Sequence, residues 1–270
     1  MNRLQKLFKI IAIIVLSFIG FIIIDSIFSI AVHFLLNKSG IKVKNYFSWW
    51  NFAILITRTC ITFLYIKIVF KIVKVNKKSF HTNKKNLSVV ILSSIVFGML
   101  LISIIIGLRY SFDMIDSIHI KIISAESISL GIICTLVSVT YEELIFRLFY
   151  INILENIKLN DKIIMFVTSA LFTVLHPLSV QGLLGWITLF LFALILYYVY
   201  KKINFYACVS IHFGWNFISS GGNIIKIKYL TNTDIQLLFS KGISIIVLLT
   251  AIIIITIYNK KKNVYEKLEA

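Results

Sequence analysis

The chain has 270 residues, of which 59% are hydrophobic and 14% charged. A soluble domain carries roughly 25% charged residues, and here the apolar residues form long runs between short polar breaks, which excludes an ordinary soluble globular protein. The net charge of +17 does not indicate nucleic-acid binding, because the lysines cluster at the ends of the hydrophobic runs, where they orient helices and contact anionic headgroups. We therefore expect the membrane lipid bilayer as a partner, and no nucleic acid.

The apolar runs predict an all-α, polytopic membrane bundle of about eight transmembrane helices. In chain order the runs are 10–36, 47–70, 87–108, 127–150, 163–180, 183–200, 204–219 and 243–258. The fifth and seventh are shorter than the roughly 20 residues that cross a bilayer. The first run lacks a convincing signal-peptide cleavage site, so we expect it to stay in the protein as a membrane anchor. Because no linker rich in Pro, Gly or Ser interrupts the chain, residues 1–270 are expected to form a single integral-membrane domain.

The distribution of lysine and arginine predicts the orientation. With the N-terminus in the cytoplasm, the basic loop 71–85 and the basic C-terminal run 260–267 both lie on the inner side. The positive-inside rule then favours a multi-pass protein of the cell membrane with both termini cytoplasmic. An even number of spans agrees with this orientation.

For several polar side chains we expect no catalytic role. We expect residues 109–126 to form a solvated amphipathic loop, with cation binding by Asp113 and Asp116 as the alternative. His81, in a lysine-rich loop, is expected to be solvated. Asp25 and His33 lie eight residues apart on one helical face, which favours a buried polar contact over a catalytic role.

The fourth run ends in three charges, at Glu142, Glu143 and Arg147. A charge at membrane depth costs at least about 2.5–3.5 kcal/mol, so such residues usually face the bundle interior and serve a function. Glu143 and Arg147 are four residues apart and are expected to form a structural ion pair, while Glu142 points about 100° away and faces the centre of the bundle. Two alternatives remain. All three residues could form buried polar contacts that only hold helices together, or the Arg147 side chain could extend to the cytoplasmic membrane interface.

Two histidines follow in later apolar runs. His176 precedes Pro177, the only proline, so the helix is expected to bend or end there. His212 and Asn216 are four residues apart and share one helical face. Counting along the spans places Glu142 and His212 roughly 10 Å from the cytoplasmic ends and His176 roughly 20 Å. Helix tilt, or a fourth helix that extends beyond Tyr150, would remove this mismatch.

The ordered set Glu142-Glu143-x-x-x-Arg147, Phe172-x-x-x-His176 and His212-x-x-x-Asn216 resembles the three motifs of the CPBP family (CAAX protease and bacteriocin-processing, also called Abi). The resemblance covers about 75 residues, within a predicted catalytic core at about 127–219. It implies an intramembrane peptidase of the CAAX prenyl protease 2 type with an eight-helix core. Bacterial members of the family are linked to maturation of, or immunity to, peptide bacteriocins and peptide signals.

The resemblance also implies the role of each residue. Glu142 and His176 would activate a water molecule, and His212 and Asn216 would stabilise the oxyanion, with Glu143, Arg147 and Phe172 as structural support. The residue types suit this chemistry, because a carboxylate and an imidazole can act as general base and acid, and N–H donors on one helix face can stabilise a tetrahedral oxygen. No serine or cysteine lies within the motifs, so a covalent intermediate is not indicated.

Other interpretations remain open at this point. Glu142, His176 and His212 could together hold a zinc ion. However, the zinc-binding motif HExxH is absent and an asparagine is a poor zinc ligand. We therefore favour a glutamate-type peptidase with no cofactor. A non-catalytic immunity or scaffold protein is the main rival, and a proton-coupled transporter leaves the His-x-x-x-Asn pair without a role. We expect a membrane-associated peptide or membrane protein as substrate, cleaved in the cytoplasmic half of the bundle.

Overall fold

Helices make up most of the chain in the computed structural model, which describes residues 3–38, 48–75, 86–120, 124–176, 178–219, 225–230 and 234–268. Eight helices lie in these ranges: α1 (Arg3–Lys38), α2 (Trp49–Val73), α3 (Leu87–Ser111), α4 (Ala125–Asn156), α5 (Asp161–Val174), α6 (Leu178–Lys202), α7 (Phe205–Ser219) and α8 (Asp234–Leu268). Each falls on one of the predicted apolar runs, which confirms the all-α class.

Five of the described helices are long and apolar enough to cross a membrane, with mean hydropathy from 1.6 to 2.9: α2, α3, α4, the Gly182–Lys202 part of α6 and the Gln236–Ile257 part of α8. Helices α5 and α7 have only 14 and 15 residues, as their short apolar runs predict. The protein is therefore a multi-pass membrane protein. Eight complete spans and the cytoplasmic placement of both termini stay predictions.

Local sequence signals account for the start of several helices. The side chains of Ser48, Ser124 and Asn160 each accept a hydrogen bond from a backbone N–H in the first turn of α2, α4 and α5. Such caps satisfy donors that have no partner within the helix. Helix α2 ends where Lys74 adopts a left-handed conformation, with φ of 55°.

Helix α4 is longer than predicted and changes its winding in the middle. Its first part, Ala125–Glu143, is α-helical, Leu144–Ile151 is π-helical, and Asn152–Asn156 completes the helix. All eight side chains of the π-helical segment are buried, so neighbouring elements surround this part of α4 on every side. Helices α2, α5 and α7 all contact α4. A π-helical segment within an α-helix is frequent at functional sites.

Glycines allow α3 and α7 to approach closely. A Cβ atom at Gly98 of α3 would overlap the carbonyl oxygen of Ile211, and one at Gly214 of α7 would overlap the carbonyl oxygen of Ile95. Small residues at a helix interface let two backbones come into contact, a common way to pack helices in membranes. The close approach fixes α7 around His212, which lies between Ile211 and Gly214 in the sequence.

The stretch between α3 and α4 corrects one prediction. Residues 109–126 were expected to be a solvated loop, but Ile115–Ile120 form strand β1, which pairs antiparallel with strand β2, Ile225–Tyr229. The prediction failed because the partner strand is more than 100 residues away in sequence. Asp116 contacts Lys228 at 2.7 Å, and this ammonium group holds the pKa of the Asp116 carboxyl below its usual value.

Some predictions fall outside what the structure describes. His81 lies outside the described residues, as does Pro177, and the side chains of Asp25 and His33 are not described either. The basic loop 71–85 is described only as far as Val75. The interpretations given to these residues therefore stay predictions.

Candidate active site

Helices α4, α5 and α7 bring the residues of the three motifs together around one carboxylate. The Oε2 atom of Glu142, on α4, lies 4.0 Å from Nε2 of His176 and 3.8 Å from Nε2 of His212. His176 follows the end of α5, and His212 lies on α7 together with Asn216, one turn further along. Asn216 lines the same cavity as the other three residues.

The length of α4 removes the mismatch in depth. Because α4 continues to Asn156, Glu142 lies about 21 Å from that end of the helix. His176 lies about 22 Å from the adjoining end of α5, at Asp161, by the same count of 1.5 Å per residue. The two side chains therefore meet near the middle of α4, deeper than the roughly 10 Å predicted for Glu142.

His176 lies in a turn rather than in a helix. Helix α5 ends at Val174, which agrees with the predicted bend or end of the helix at His176. The Nδ1 atom of His176 lies 2.8 Å from the carbonyl oxygen of Phe172, and Trp186 donates from its indole nitrogen to the carbonyl oxygen of His176 at 2.9 Å. A neutral His176 donates from Nδ1 to that carbonyl, which leaves Nε2 unprotonated and facing Glu142.

Glu143 contacts two partners, only one of which was predicted. Its Oε2 atom lies 3.1 Å from Nε of Arg147, the contact expected from their spacing of four residues. Its Oε1 atom lies 2.7 Å from Nδ1 of His212, a contact that sequence spacing does not indicate. The Glu143 side chain is 0% exposed, so a buried carboxylate joins Arg147 on its own helix to His212 on α7.

Arg147 is held inside the bundle. Its side chain is 2% exposed, which contradicts the alternative that it snorkels to the membrane interface. Its guanidinium group lies 4.8 Å from the centre of the Phe172 ring and donates weakly to the carbonyl oxygen of Ala193 at 3.4 Å. Snorkelling fails because Arg147 belongs to the buried π-helical segment.

Phe172 packs between the charged residues and the histidines. Its ring centre is 4.8 Å from that of His176 and 5.8 Å from that of His212. On the other side of His212, the Phe192 ring lies at 5.4 Å and in turn packs on Trp215 at 4.5 Å. These aromatic contacts restrict the orientation of both imidazole rings.

Two cavities meet at Glu142 and His176. The smaller, of about 340 Å³, is lined mainly by apolar and aromatic residues of α1 and α4, with Arg58 of α2 stacked 4.2 Å above the Tyr141 ring. The larger, of about 410 Å³, lies between α3, α6, α7 and α8 and is lined by His212 and Asn216. Both volumes fall within the range of ligand pockets.

The exposed parts of the site allow a water molecule to reach it. The side chains of Glu142 and His176 are 23% and 28% exposed, in contrast to Glu143. The Oε2 atom of Glu142 is buried and accepts no hydrogen bond from the residues that the structure describes. Separations of about 4 Å to two imidazole nitrogens are too long for direct hydrogen bonds but suit a bridging water.

The residues that would hold zinc are Glu142, His176 and His212, since both Nε2 atoms face the same carboxylate. Hydrogen bonds to Phe172 and Glu143 fix the Nδ1 atoms, as is common for histidines that bind metals. Among the described residues, however, no group of three or more His, Cys, Asp or Glu side chains has the arrangement of a metal site. Activity without a cofactor stays a prediction.

Comparison with known families agrees with the geometry. Residues 124–218 match the family model described as type II CAAX prenyl endopeptidase Rce1-like. This match includes all three motifs and is consistent with the CPBP resemblance that the motifs predicted. It supports a CAAX-type intramembrane protease, a hydrolase, for the segment from α4 to α7. Comparison with curated proteins gives no match.

The sequence did not indicate every residue that shapes the site. Trp186, Phe192 and Gly98 were not identified as important, although each contacts the motif residues or fixes their helices. A glycine inside an apolar membrane helix is a signal for close helix packing, and it was present in the sequence. The contact between Glu143 and His212 had no such signal.

Proposed function

We propose that the chain is a glutamate-type intramembrane endopeptidase that hydrolyses a membrane-associated peptide or protein without a metal cofactor. The observation that carries the proposal is the convergence of two imidazole nitrogens on the Oε2 atom of Glu142, at 4.0 and 3.8 Å, where two cavities meet. A substrate chain that enters from either cavity passes this carboxylate.

The first step would be the attack of water on the scissile carbonyl carbon. Glu142 takes a proton from a water molecule that lies between its Oε2 atom and Nε2 of His176, and the new C–O bond produces a tetrahedral intermediate. The 4.0 Å gap between these two atoms suits a water molecule that donates to one and contacts the other. The low-dielectric surroundings strengthen every electrostatic interaction within this step.

The oxyanion would be stabilised by N–H donors of α7. Asn216 supplies a side-chain amide, and His212 supplies Nε2–H. Because Nδ1 of His212 faces the Glu143 carboxylate at 2.7 Å, His212 donates from Nε2 only when both of its ring nitrogens carry protons. Two ionised glutamates and Arg147 sum to one negative charge, and an imidazolium at His212 brings the cluster to neutrality.

The second step would break the C–N bond. The intermediate collapses, the electron pair of the C–N bond goes to the leaving nitrogen, and the proton taken from water is transferred to that nitrogen through Glu142 or His176. A carboxylic acid and an amine result, and the site returns to its first state. Water is the only co-reactant that the reaction needs.

The main rival is a membrane protein of the same fold that binds a peptide without cleaving it, for example in bacteriocin immunity. An intact set of catalytic residue types around a carboxylate side chain that is 23% exposed favours the enzyme over this rival. A role in bacteriocin or peptide-signal maturation stays a prediction of the family resemblance.

The test is cleavage of a mixed library of hydrophobic peptides by the purified protein in liposomes, read by mass spectrometry. We expect products from the wild type and none from Glu142→Gln. Glu126→Gln is the matched control, because Glu126 lies at the exposed end of the same helix and, among the described residues, accepts a hydrogen bond only from the indole of Trp49, at 2.8 Å. Equal products from wild type and Glu142→Gln would contradict the proposal.

A further inference from the structure

The two histidines of the candidate site are held in different ways. The side chain of His212 is 4% exposed and lies between the rings of Phe172 and Phe192. The side chain of His176 is 28% exposed and lines both cavities, so its ring borders open space in each of them. The orientation of His176 therefore depends on hydrogen bonds more than on packing.

The backbone around His176 is the end of a helix. Helix α5 ends at Val174, and the last carbonyl groups of a helix have no partner within the helix. The N–H group of His176 donates to the carbonyl oxygen of Thr173 at 3.0 Å, and its Nδ1 atom lies 2.8 Å from that of Phe172. The direction of the imidazole ring is therefore tied to the path of the backbone through this turn, and a shift of the turn moves Nε2 away from Glu142.

The carbonyl group of His176 receives its hydrogen bond from another helix. The next residue, Pro177, has no backbone N–H, and a carbonyl group without a donor is costly inside a membrane protein. The indole nitrogen of Trp186, ten residues further along the chain on α6, donates to this carbonyl oxygen at 2.9 Å. Helices α5 and α6 pack against each other, so the hydrogen bond ties the turn to a neighbouring helix.

We propose that Trp186 is a positioning residue for the reaction, because its hydrogen bond holds the turn that carries His176 and thereby keeps Nε2 directed at Glu142. The proposal rests on the proposed function, in which His176 takes part in activating water. Trp186 lies outside the three motifs and is not among the residues that line either cavity. It acts through His176 and not on the substrate.

The hydrogen bond from Trp186 also determines which nitrogen of His176 carries the proton. While the turn is held, the carbonyl oxygen of Phe172 accepts from Nδ1–H, and the unprotonated Nε2 accepts a hydrogen bond from water. If the turn shifts, Nδ1 separates from this carbonyl and the proton is free to move to Nε2. Loss of the indole N–H of Trp186 should therefore change both the position of the proton and the rate of hydrolysis.

The test replaces Trp186 by benzothienylalanine, in which a sulfur atom takes the place of the indole N–H and the fused ring is kept. Trp186→Phe is the second variant. The probe is the peptide that the wild type cleaves fastest from a mixed hydrophobic library, with the protein in liposomes. We expect kcat to fall about 10- to 100-fold in both variants, the size expected when a catalytic group is misplaced by about 1 Å, with KM changed less than about twofold.

Trp49 provides the matched control. Its indole nitrogen also donates a single described hydrogen bond, to Oε1 of Glu126 at 2.8 Å, and neither residue lines a cavity. Replacing Trp49 by benzothienylalanine or by Phe removes one indole hydrogen bond far from His176. Both Trp49 variants should keep the wild-type kcat and KM.

A second measurement does not require cleavage. Nitrogen NMR of protein labelled at histidine shows which ring nitrogen of His176 carries the proton. We expect Nδ1 in the wild type and in the Trp49 variants, and a mixture of Nδ1 and Nε2 in the Trp186 variants. A merely structural role of Trp186 would lower the unfolding temperature without moving this proton.

The outcomes separate this proposal from the peptidase assignment. Unchanged NMR signals of His176 in both Trp186 variants, a wild-type kcat with benzothienylalanine, or a rise in KM alone would overturn the positioning role while wild-type cleavage still supports the peptidase. An equal fall of kcat in the Trp49 variants would also overturn it. A moved proton in a protein whose wild type cleaves no peptide would support the hold of Trp186 on His176 and overturn the peptidase.

Discussion

The Nδ1 atom of His212 lies 2.7 Å from the Oε1 atom of Glu143, and this contact connects α7 to α4 inside the bundle. Glu143 also pairs with Arg147 at 3.1 Å, so one buried carboxylate serves a cation of its own helix and an imidazole of another. The contact fixes Nε2 of His212 toward Glu142. Glu143 is thus a positioning residue as well as part of an ion pair.

Replacing Glu143 by Gln should damage both stability and activity. Arg147 would lose its ionic partner, and breaking a buried pair costs about 3–5 kcal/mol. Thermal unfolding in detergent should therefore show a clear loss for Glu143→Gln, while Glu142→Gln should unfold near the wild-type temperature and be inactive. Equal unfolding temperatures for the two variants would contradict the separate roles given to these neighbouring glutamates.

The protonation state of His212 provides a second prediction. If Nε2 donates to the oxyanion, His212 is doubly protonated while Glu142 and Glu143 are ionised. Nitrogen NMR of protein labelled at histidine should then show two protonated nitrogens for His212 at neutral pH. His176 should instead show one protonated nitrogen, Nδ1, which faces the Phe172 carbonyl. An unprotonated Nε2 atom would exclude His212 as a hydrogen-bond donor to the oxyanion.

Asn216 is expected to act mainly in the transition state. Loss of one oxyanion donor lowers kcat by about 10²–10³, so Asn216→Ala should show this loss with little change in KM. Asn216→Asp keeps the size of the side chain but replaces the amide donor by an acceptor, and it should be at least as impaired. Steady-state kinetics in liposomes distinguishes this result from a rise in KM alone, which would indicate a role in binding the ground state.

The close approach of α3 and α7 predicts that Gly98 does not tolerate a side chain. A methyl group there would meet the backbone of Ile211, next to His212, and overpacking of this kind costs about 1–3 kcal/mol. Gly107→Ala, on the same helix, is the control, because nothing lies within 4 Å of a Cβ atom at that position. Gly98→Ala should lower the unfolding temperature and the cleavage rate, and Gly107→Ala should change neither.

The sequence was sufficient for those features that depend on local spacing. Four residues separate Glu143 from Arg147, and helical geometry alone brings them together. The shortness of α5 and α7 followed from the apolar runs, and the end of α5 near His176 followed from the conformational restriction that a proline imposes on its neighbour. These are properties that a few consecutive residues determine.

Features that depend on contacts between residues far apart in the chain could not be predicted from the sequence in this way. His212 and Glu143 are 69 residues apart, and only the packing of α7 against α4 brings them together. Strand β1 was expected to be part of a loop, and it forms because β2, more than 100 residues away, pairs with it. The π-helical winding of Leu144–Ile151 has no periodic signal in the sequence, so only the structure shows it.

Measuring zinc content and peptide cleavage on the same purified sample decides whether Glu142 and His176 activate water without a metal. We expect full cleavage by protein that holds far less than one zinc per chain, and continued cleavage after long incubation with a strong chelator. Stoichiometric zinc in the active protein, lost from His176→Ala and His212→Ala together with activity, would contradict the metal-free mechanism.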